Sequence, residues 1–200
     1  MAAAALIGLT LWRGAAAPGP VAEAPASASA ARVGGPFQLV DQNGRMRDQS
    51  LLQGRWSLVF FGFTSCPDIC PTTLQTLGAA KEALGPAGER LQLVLVSVDP
   101  ARDTPAQLKS YLESGAFTPG VVGLTGTPQQ IAVATLAYGA YAARVGEGEG
   151  YTMQHTSLIY LMDPEGRFSR IVRLDGGPAA VAAQLREAMA AGGDGNAGSA

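Results

Sequence analysis

Residues 56–74, WSLVFFGFTSCPDICPTTL, contain both cysteines of this 200-residue chain, Cys66 and Cys70. The segment starts with a continuous apolar and aromatic run, 56–63, which is typical of a strand buried on both faces. Pro71 lacks an amide hydrogen and is best tolerated at the first position of a helix, so we expect a helix to begin there with Cys70 as its N-cap. The partial positive charge of that helix end should lower the pKa of the Cys70 thiol.

The patterns in the rest of the chain predict an α/β fold. In chain order they indicate a hairpin around Asn43-Gly44 (36–49), the strand 56–63, a helix (72–84), a strand (91–98), helices opening at Thr104-Pro105 and Thr127-Pro128 and ending near 114 and 141, a hairpin (156–162 and 167–174) and a helix (178–189). This order predicts a central mixed β-sheet flanked by helices, with the N-terminal β-hairpin added to it. Because the cysteine motif follows the first long buried strand at the mouth of a helix, we predict a thioredoxin-like fold.

Composition favours one globular domain with two flanking segments. We assign residues 35–190 to the domain, 1–34 to the remnant of a signal or anchor followed by a flexible tether, and 191–200 to a disordered tail. The first 12 residues are apolar and short for a membrane span, but they match the length of a signal h-region. We therefore expect export, with a disordered cytosolic tail as the alternative. The formal net charge of −2 and the lack of a basic run argue against a nucleic-acid partner.

The sole histidine, His155, is the candidate third member of a metal site with Cys66 and Cys70. The strand after it is of the kind that would lie beside the first buried strand, and the loop before it can bring its end towards the cysteines. Two thiolates and one imidazole form a soft, three-coordinate set of ligands. This set favours copper over structural zinc, which normally takes four protein ligands. A structural disulfide is a weaker explanation, since a five-residue ring stabilises a fold by only about 2 kcal/mol. A purely redox-active dithiol stays open as well.

Four stretches of the sequence resemble the Sco (SenC) family of thioredoxin-fold copper chaperones: SLVFFGFTSCPDICPTTL, VLVSVDPARDTP, GLTGTP and HTSLIYLMDPEGRF. The resemblance spans about residues 34–190. It implies that Cys66, Cys70 and His155 bind one copper ion, Cu(I) or Cu(II), for the dinuclear copper site of cytochrome c oxidase. It also implies a location on the periplasmic side and a copper-accepting oxidase subunit as partner; the family is usually anchored by an N-terminal helix, and attachment of this chain to the inner membrane through its N-terminus stays open. Because metal entry requires reduced thiols, an exported location implies a thiol reductant as a second partner.

Several neighbouring residues invite a functional interpretation. Asp99 ends the second buried strand near the expected cysteine mouth, so it is a candidate partner of the ligands, although it could equally cap the following turn. We expect Asp103 to support the start of the next helix, Asp68 to be solvated and Met153 to pack at the rim of the core. Phe63 is placed to cover the apolar side of the metal. Gln154 stands where the family often has Asp, which leaves the charge tuning of the imidazole open.

Two other functions use the same residues. A thiol–disulfide oxidoreductase or a peroxiredoxin-like peroxidase would rely on the cysteines alone, but the first class typically has C-x-x-C and the second needs no histidine ligand. We therefore do not expect a classical enzyme, although thiol–disulfide exchange is compatible with the motif. A copper sensor or buffer would have the same ligands as a chaperone, and the sequence does not separate these two roles.

Overall fold

The computed structural model describes residues 33–193, which fold as four α-helices, three short 3-10 helices, a central β-sheet and a separate two-stranded ribbon. The strands are β1 (Gln38–Asp41), β2 (Met46–Asp48), β3 (Trp56–Gly62), β4 (Leu91–Ser97), β5 (Val122–Thr125), β6 (Ala142–Val145), β7 (Thr152–His155), β8 (Ile159–Met162) and β9 (Phe168–Val172). The α-helices are α1 (Ile69–Ala83), α2 (Pro105–Leu112), α3 (Pro128–Ala137) and α4 (Gly177–Gly193).

Seven strands form the central mixed sheet, in the order β2-β1-β5-β4-β3-β8-β9. The inner strands β3, β4 and β5 run parallel, with Leu58 opposite Leu93, while β8 is antiparallel to β3. Every residue of β3 and β4 is buried, as their predominantly apolar sequences predict. The predicted α/β class, the thioredoxin-like arrangement and the pairing of β8 with β3 are therefore confirmed.

Helices cover both faces of this sheet and divide the core in two. On one face, side chains of α1, α2 and α4 pack on β3 and β4, with Leu74, Leu108 and Leu185 fully buried. On the other face, α3 packs over an aromatic group that includes Phe61 and Tyr138. Truncating any of the three leucines to Ala should cost about 2–5 kcal/mol of stability.

The threonine–proline pairs open α2 and α3 as predicted. Thr104 accepts a hydrogen bond from the Gln107 amide, and Thr127 forms a capping box with Gln130. Helix α1 differs, because it begins at Ile69 with Asp68 as the N-cap residue. The prediction that Cys70 is the N-cap was wrong. The first four amides of a helix have no partner within it, so Pro71 is accommodated anywhere in the first turn and does not mark the first residue.

The structure adds three strands that the sequence patterns did not reveal. Strand β5 lies between α2 and α3, and β6 pairs with β7 in a separate two-stranded ribbon that occupies the predicted loop before His155. Helix α3 ends at Ala137, short of the predicted residue 141, because Gly139 takes a left-handed backbone conformation with φ 60°. Helix α4 continues to Gly193, past the predicted start of the tail at residue 191.

The predictions for the two ends fall largely outside the described residues. Residues 1–32 of the predicted leader and tether, and 194–200 of the predicted tail, are not described. Residues 33 and 34 adjoin the fold, where the Gly34 amide donates a 2.8 Å hydrogen bond to the Ala137 carbonyl. Within residues 33–193, no helix combines the length and the apolar character needed to cross a membrane.

Candidate metal centre

The cysteine loop joins the end of β3 to the first turn of α1. Both cysteines are free thiols; Cys66 is partly exposed in the loop, whereas Cys70 is only 1% exposed. The loop is closed by a 3.2 Å hydrogen bond from the Cys66 amide to the Phe63 carbonyl. The two sulfurs therefore differ in access, with Cys66 facing solvent and Cys70 facing the core.

A glycine at the end of β3 makes room for the buried sulfur. A Cβ atom at Gly62 would lie 2.9 Å from Cys70 Sγ and 3.2 Å from Leu95 Cδ1. The backbone of Gly62 is held in the sheet opposite Ser97, so it has little freedom to retreat. Sequence reasoning missed Gly62, although a glycine inside an otherwise aromatic strand is a signal of close approach.

The imidazole of His155 lies against the buried thiol. The distance between Cys70 Sγ and His155 Nε2 is 3.8 Å, although 85 positions separate the two residues in the chain. On the other side of the ring, Nδ1 is 3.0 Å from the Thr156 carbonyl oxygen. Because a carbonyl only accepts, Nδ1 carries the hydrogen, and the lone pair of Nε2 is directed at the sulfur. Phe63 contacts the imidazole edge to face, with ring centroids 5.8 Å apart.

Cys70 and His155 thus lie together, as expected, but Cys66 does not form a closed group of metal ligands with them. In the part of the chain that the structure describes, no three His, Cys, Asp or Glu side chains are arranged to hold a metal ion. Cys66 nevertheless lies near enough for its thiol to affect the ionisation of Cys70. The structure therefore shows a buried thiol paired with a half-buried imidazole, and a second, more accessible thiol beside them.

The predicted low pKa of Cys70 was wrong. Burial raises the pKa of the Cys70 thiol to about 12, against the lowering effect of a hydrogen bond from the Phe63 backbone. The neighbouring Cys66 raises it further. Because Cys70 lies inside the first turn of α1 and is shielded from water, loss of solvation outweighs the field of the helix end. At neutral pH the Cys70 sulfur is a thiol, so a metal that binds it must displace a proton.

The geometry of the pair suits a soft metal ion. If the bonds to sulfur and nitrogen are about 2.3 and 2.0 Å, as they are for zinc, the 3.8 Å separation of Sγ and Nε2 corresponds to an angle of roughly 120° at the ion. This is the angle of a trigonal site, in which a third ligand completes the plane. Thiolate and imidazole are both ligands that copper accepts, and three protein ligands are one fewer than structural zinc takes.

Asp99 does not contact the thiol–imidazole pair. Its carboxylate is buried and accepts a 2.5 Å hydrogen bond from Arg102 Nε and a 2.6 Å hydrogen bond from the Tyr151 hydroxyl. Its backbone carbonyl also closes the turn after β4 by accepting from the Arg102 and Asp103 amides. Of the two roles considered for Asp99, turn formation is therefore present, and its carboxylate links that turn to the ribbon that carries His155.

The remaining candidates have structural roles. The carboxylate of Asp103 is buried and accepts hydrogen bonds from Thr64 Oγ1 and Ser97 Oγ, both at 2.6 Å, so it joins the cysteine loop to the end of β4. The expectation that it supports the start of α2 was wrong, since Thr104 caps that helix. Asp68 is exposed, as predicted, and Met153 is half-buried against the apolar core.

Fold and site together define a thioredoxin-like protein whose cysteine loop is completed by a histidine from a separate ribbon. Comparison with known proteins is consistent with this class. The chain belongs to the SCO1/SenC family, whose model matches residues 25–190.

Individual relatives are similar over most of the domain. A SCO2-like protein of Rickettsia conorii is 41% identical over 150 residues, which cover 74% of this chain and 72% of the relative. A putative copper-binding protein of Stutzerimonas stutzeri is 43% identical over 139 residues, which cover 68% and 67% of the two chains. The structure of Bradyrhizobium japonicum ScoI with copper bound superposes with a TM-score of 0.71 at 46% identity, covering 78% of this chain and 98% of that one.

Proposed function

We propose that this protein is a copper metallochaperone that binds one Cu(I) or Cu(II) ion through Cys66, Cys70 and His155. The observation that carries the proposal is the 3.8 Å approach of His155 Nε2 to Cys70 Sγ, with Nδ1 engaged elsewhere. The similarity to ScoI, which was solved with copper bound, supports the choice of metal. Cys66 completes the set by a side-chain rotation, which its partly exposed position in the loop allows.

The arrangement suits transfer of the ion rather than permanent retention. Three protein ligands leave a coordination position for a ligand from an acceptor protein. Cys66 is the accessible ligand and Cys70 the buried one, so an acceptor thiol would replace Cys66 first. Following the resemblance, we assign the acceptor to the oxidase subunit that holds the dinuclear copper site.

The proposal also covers the location of the protein and the source of electrons that keeps its thiols reduced. Export to the periplasmic side, with or without membrane attachment through the N-terminus, follows from the apolar first 12 residues and from the resemblance. Thiols in that compartment tend to oxidise, and a disulfide cannot bind copper through thiolates, so the proposal includes a separate thiol reductant. Fractionation of cells expressing the full chain tests the location, and recovery in the cytosol alone would contradict it.

Copper titration of the reduced full chain tests the proposed ligands. We expect one copper per chain and, with Cu(II), a thiolate-to-copper charge-transfer absorption. Substitution of His155→Ala should weaken binding by about 10-fold or more, because loss of even a group that only hydrogen-bonds to a metal ligand typically costs about 10- to 100-fold in affinity. Gln154→Ala is the matched control, because Gln154 is the exposed neighbour of His155 in β7. Equal affinity of the parent and the His155→Ala variant would overturn the three-ligand site.

A second candidate function is thiol–disulfide exchange. The contrast between the accessible Cys66 and the buried Cys70 favours it, because Cys66 can attack a disulfide while Cys70 resolves the mixed disulfide. In that reaction Cys66 and Cys70 are oxidised to a disulfide, and two electrons and two protons pass to the substrate disulfide, which becomes two thiols. A Cys70→Ser variant should then trap the mixed disulfide. Absence of any trapped adduct with a disulfide-bonded peptide would exclude this activity.

A further inference from the structure

We propose that Tyr151, together with Arg102 and Asp99, positions His155 for copper, and we refer to these three residues as the clasp. The inference rests on the proposed function and extends it, because none of the three side chains is a ligand in that proposal. Tyr151 immediately precedes β7, the strand that ends at His155, whereas Asp99 and Arg102 belong to the turn after β4. The clasp therefore joins the ribbon that carries the histidine to the sheet that carries the cysteines.

The ribbon needs such a connection. Strands β6 and β7 pair only with one another, and the Ala142–His155 register places His155 at the open end of the ribbon. An isolated two-stranded ribbon is marginally stable in water, so side-chain contacts must hold it against the domain. Beside His155, the Thr156 side chain and amide bond to the Tyr141 backbone at 2.8 and 2.9 Å, which closes the ribbon but does not bind it to the central sheet.

Hydrogen bonds and stacking of charged groups on its ring hold Tyr151 against the turn after β4. The Tyr151 hydroxyl donates to Asp99 Oδ1 at 2.6 Å, and Arg102 donates to the Tyr151 carbonyl at 3.1 Å. The Tyr151 ring lies between two guanidinium groups, those of Arg102 and Arg144, each 3.8 Å from its centroid. Hydrogen bonds to a buried carboxylate are stronger than neutral ones, and stacking of Arg on an aromatic ring adds to them.

The same arginine reaches the metal centre through one aromatic ring. Arg102 also stands over Phe63, 5.8 Å from its centroid, and Phe63 contacts the imidazole of His155. A shift of the clasp would therefore move the ribbon and the packing of Phe63 together. Only when the ribbon is docked does His155 Nε2 face Cys70, so the docked fraction sets the apparent affinity for copper.

The substitution Tyr151→Phe tests this inference, because it removes the hydroxyl and keeps the stacked ring. Loss of one hydrogen bond to a charged group should lower the docking equilibrium constant by about tenfold or more, and the apparent copper affinity should fall in proportion to the docked fraction, by at most the same factor. Tyr141→Phe is the matched control, since the Tyr141 side chain is 57% exposed and its hydroxyl makes no hydrogen bond to residues 33–193.

The sole histidine of the chain supplies a readout that does not need copper. In an untagged full chain, the imidazole proton signals in an NMR spectrum report His155 alone. In the parent they should carry the ring-current shift caused by Phe63, and in Tyr151→Phe they should move towards the values of a free histidine. Tyr141→Phe should leave them unchanged. Unchanged signals in Tyr151→Phe would overturn the inference.

Copper competition in the His155→Ala background separates this inference from the proposed function. If His155 is a ligand and Tyr151 acts through it, Tyr151→Phe should weaken binding in the parent and have no further effect in His155→Ala. An equal loss in both backgrounds would show that Tyr151 acts on the fold in general and would refute the positioning role. If the parent itself bound no copper, the proposed function would fail, while the NMR shift would still decide whether the clasp positions the ribbon.

Discussion

Enlarging Gly62 by a single methyl group should disturb both the fold and the metal centre. In Gly62→Ala the new Cβ would lie 2.9 Å from Cys70 Sγ and 3.2 Å from Leu95 Cδ1, both closer than ordinary van der Waals contacts. Neither neighbour can retreat easily, because Cys70 and Leu95 are fully enclosed in the core. Overpacking of this kind costs about 1–3 kcal/mol. For a domain of this size, that corresponds to a fall in Tm of about 2–12 °C.

The strain acts on the sulfur that faces the histidine, so copper affinity should fall together with stability. Thermal unfolding and copper competition on the same samples measure both effects. Gly150→Ala is the control, because a Cβ at Gly150 meets no atom within 4 Å, and its effect should stay within about 0.5 kcal/mol.

A double-mutant cycle identifies the responsible atom. In a Cys70→Ala background the nearest clashing atom is absent, so Gly62→Ala should cost measurably less stability there than in the parent. Equal costs in both backgrounds, or a Gly62→Ala protein as stable as the parent with unaltered copper binding, would refute the reasoning that Gly62 makes room for the sulfur.

Three further predictions concern reactivity and stability. Iodoacetamide should modify Cys66 well before Cys70, since Cys70 is buried and its pKa is raised, and peptide mapping by mass spectrometry measures the order; equal rates would contradict it. Burial opposes ionisation of Asp41, but hydrogen bonds from Arg45, Arg47 and Asn43 hold its pKa below the ordinary 3.8. The Asp41→Asn variant should therefore be less stable than the parent at neutral pH. Denaturant titrations should show this difference shrinking as the pH falls below about 3.8. Thr127→Ala removes the capping box of α3 and should cost about 1 kcal/mol, and an unchanged unfolding midpoint would speak against that cap.

The parts of the fold that were predicted correctly are those with strong local signals. Predominantly apolar runs identified β3 and β4, and the threonine–proline pairs identified the starts of α2 and α3. Strand β5 consists of only Val122–Thr125, includes a glycine and is recognisable only through its pairing with β4. The arms of the β6–β7 ribbon are four residues each and contain no fully buried residue, so they are too short for a hydrophobic pattern to identify them as strands.

The residues that meet at the candidate site were predicted better than the pKa of its buried thiol. The sequence alone indicated that His155 approaches the cysteine motif, and the structure brings it to Cys70. The shift in the pKa of Cys70 was predicted in the wrong direction. A change of one or two residues in where the helix starts decides whether the thiol is solvated or buried. The contacts of Tyr151 with Arg102 and Asp99 join residues about 50 positions apart, and no local pattern signals them.

X-ray absorption at the copper edge of the loaded full chain identifies the atoms bound to the metal. We expect two sulfur scatterers at about 2.3 Å and one imidazole nitrogen at about 2.0 Å, as in zinc sites with these ligands, with the imidazole contribution lost in His155→Ala. A copper shell without sulfur, or a parent spectrum that the His155→Ala variant reproduces, would contradict the three-ligand site.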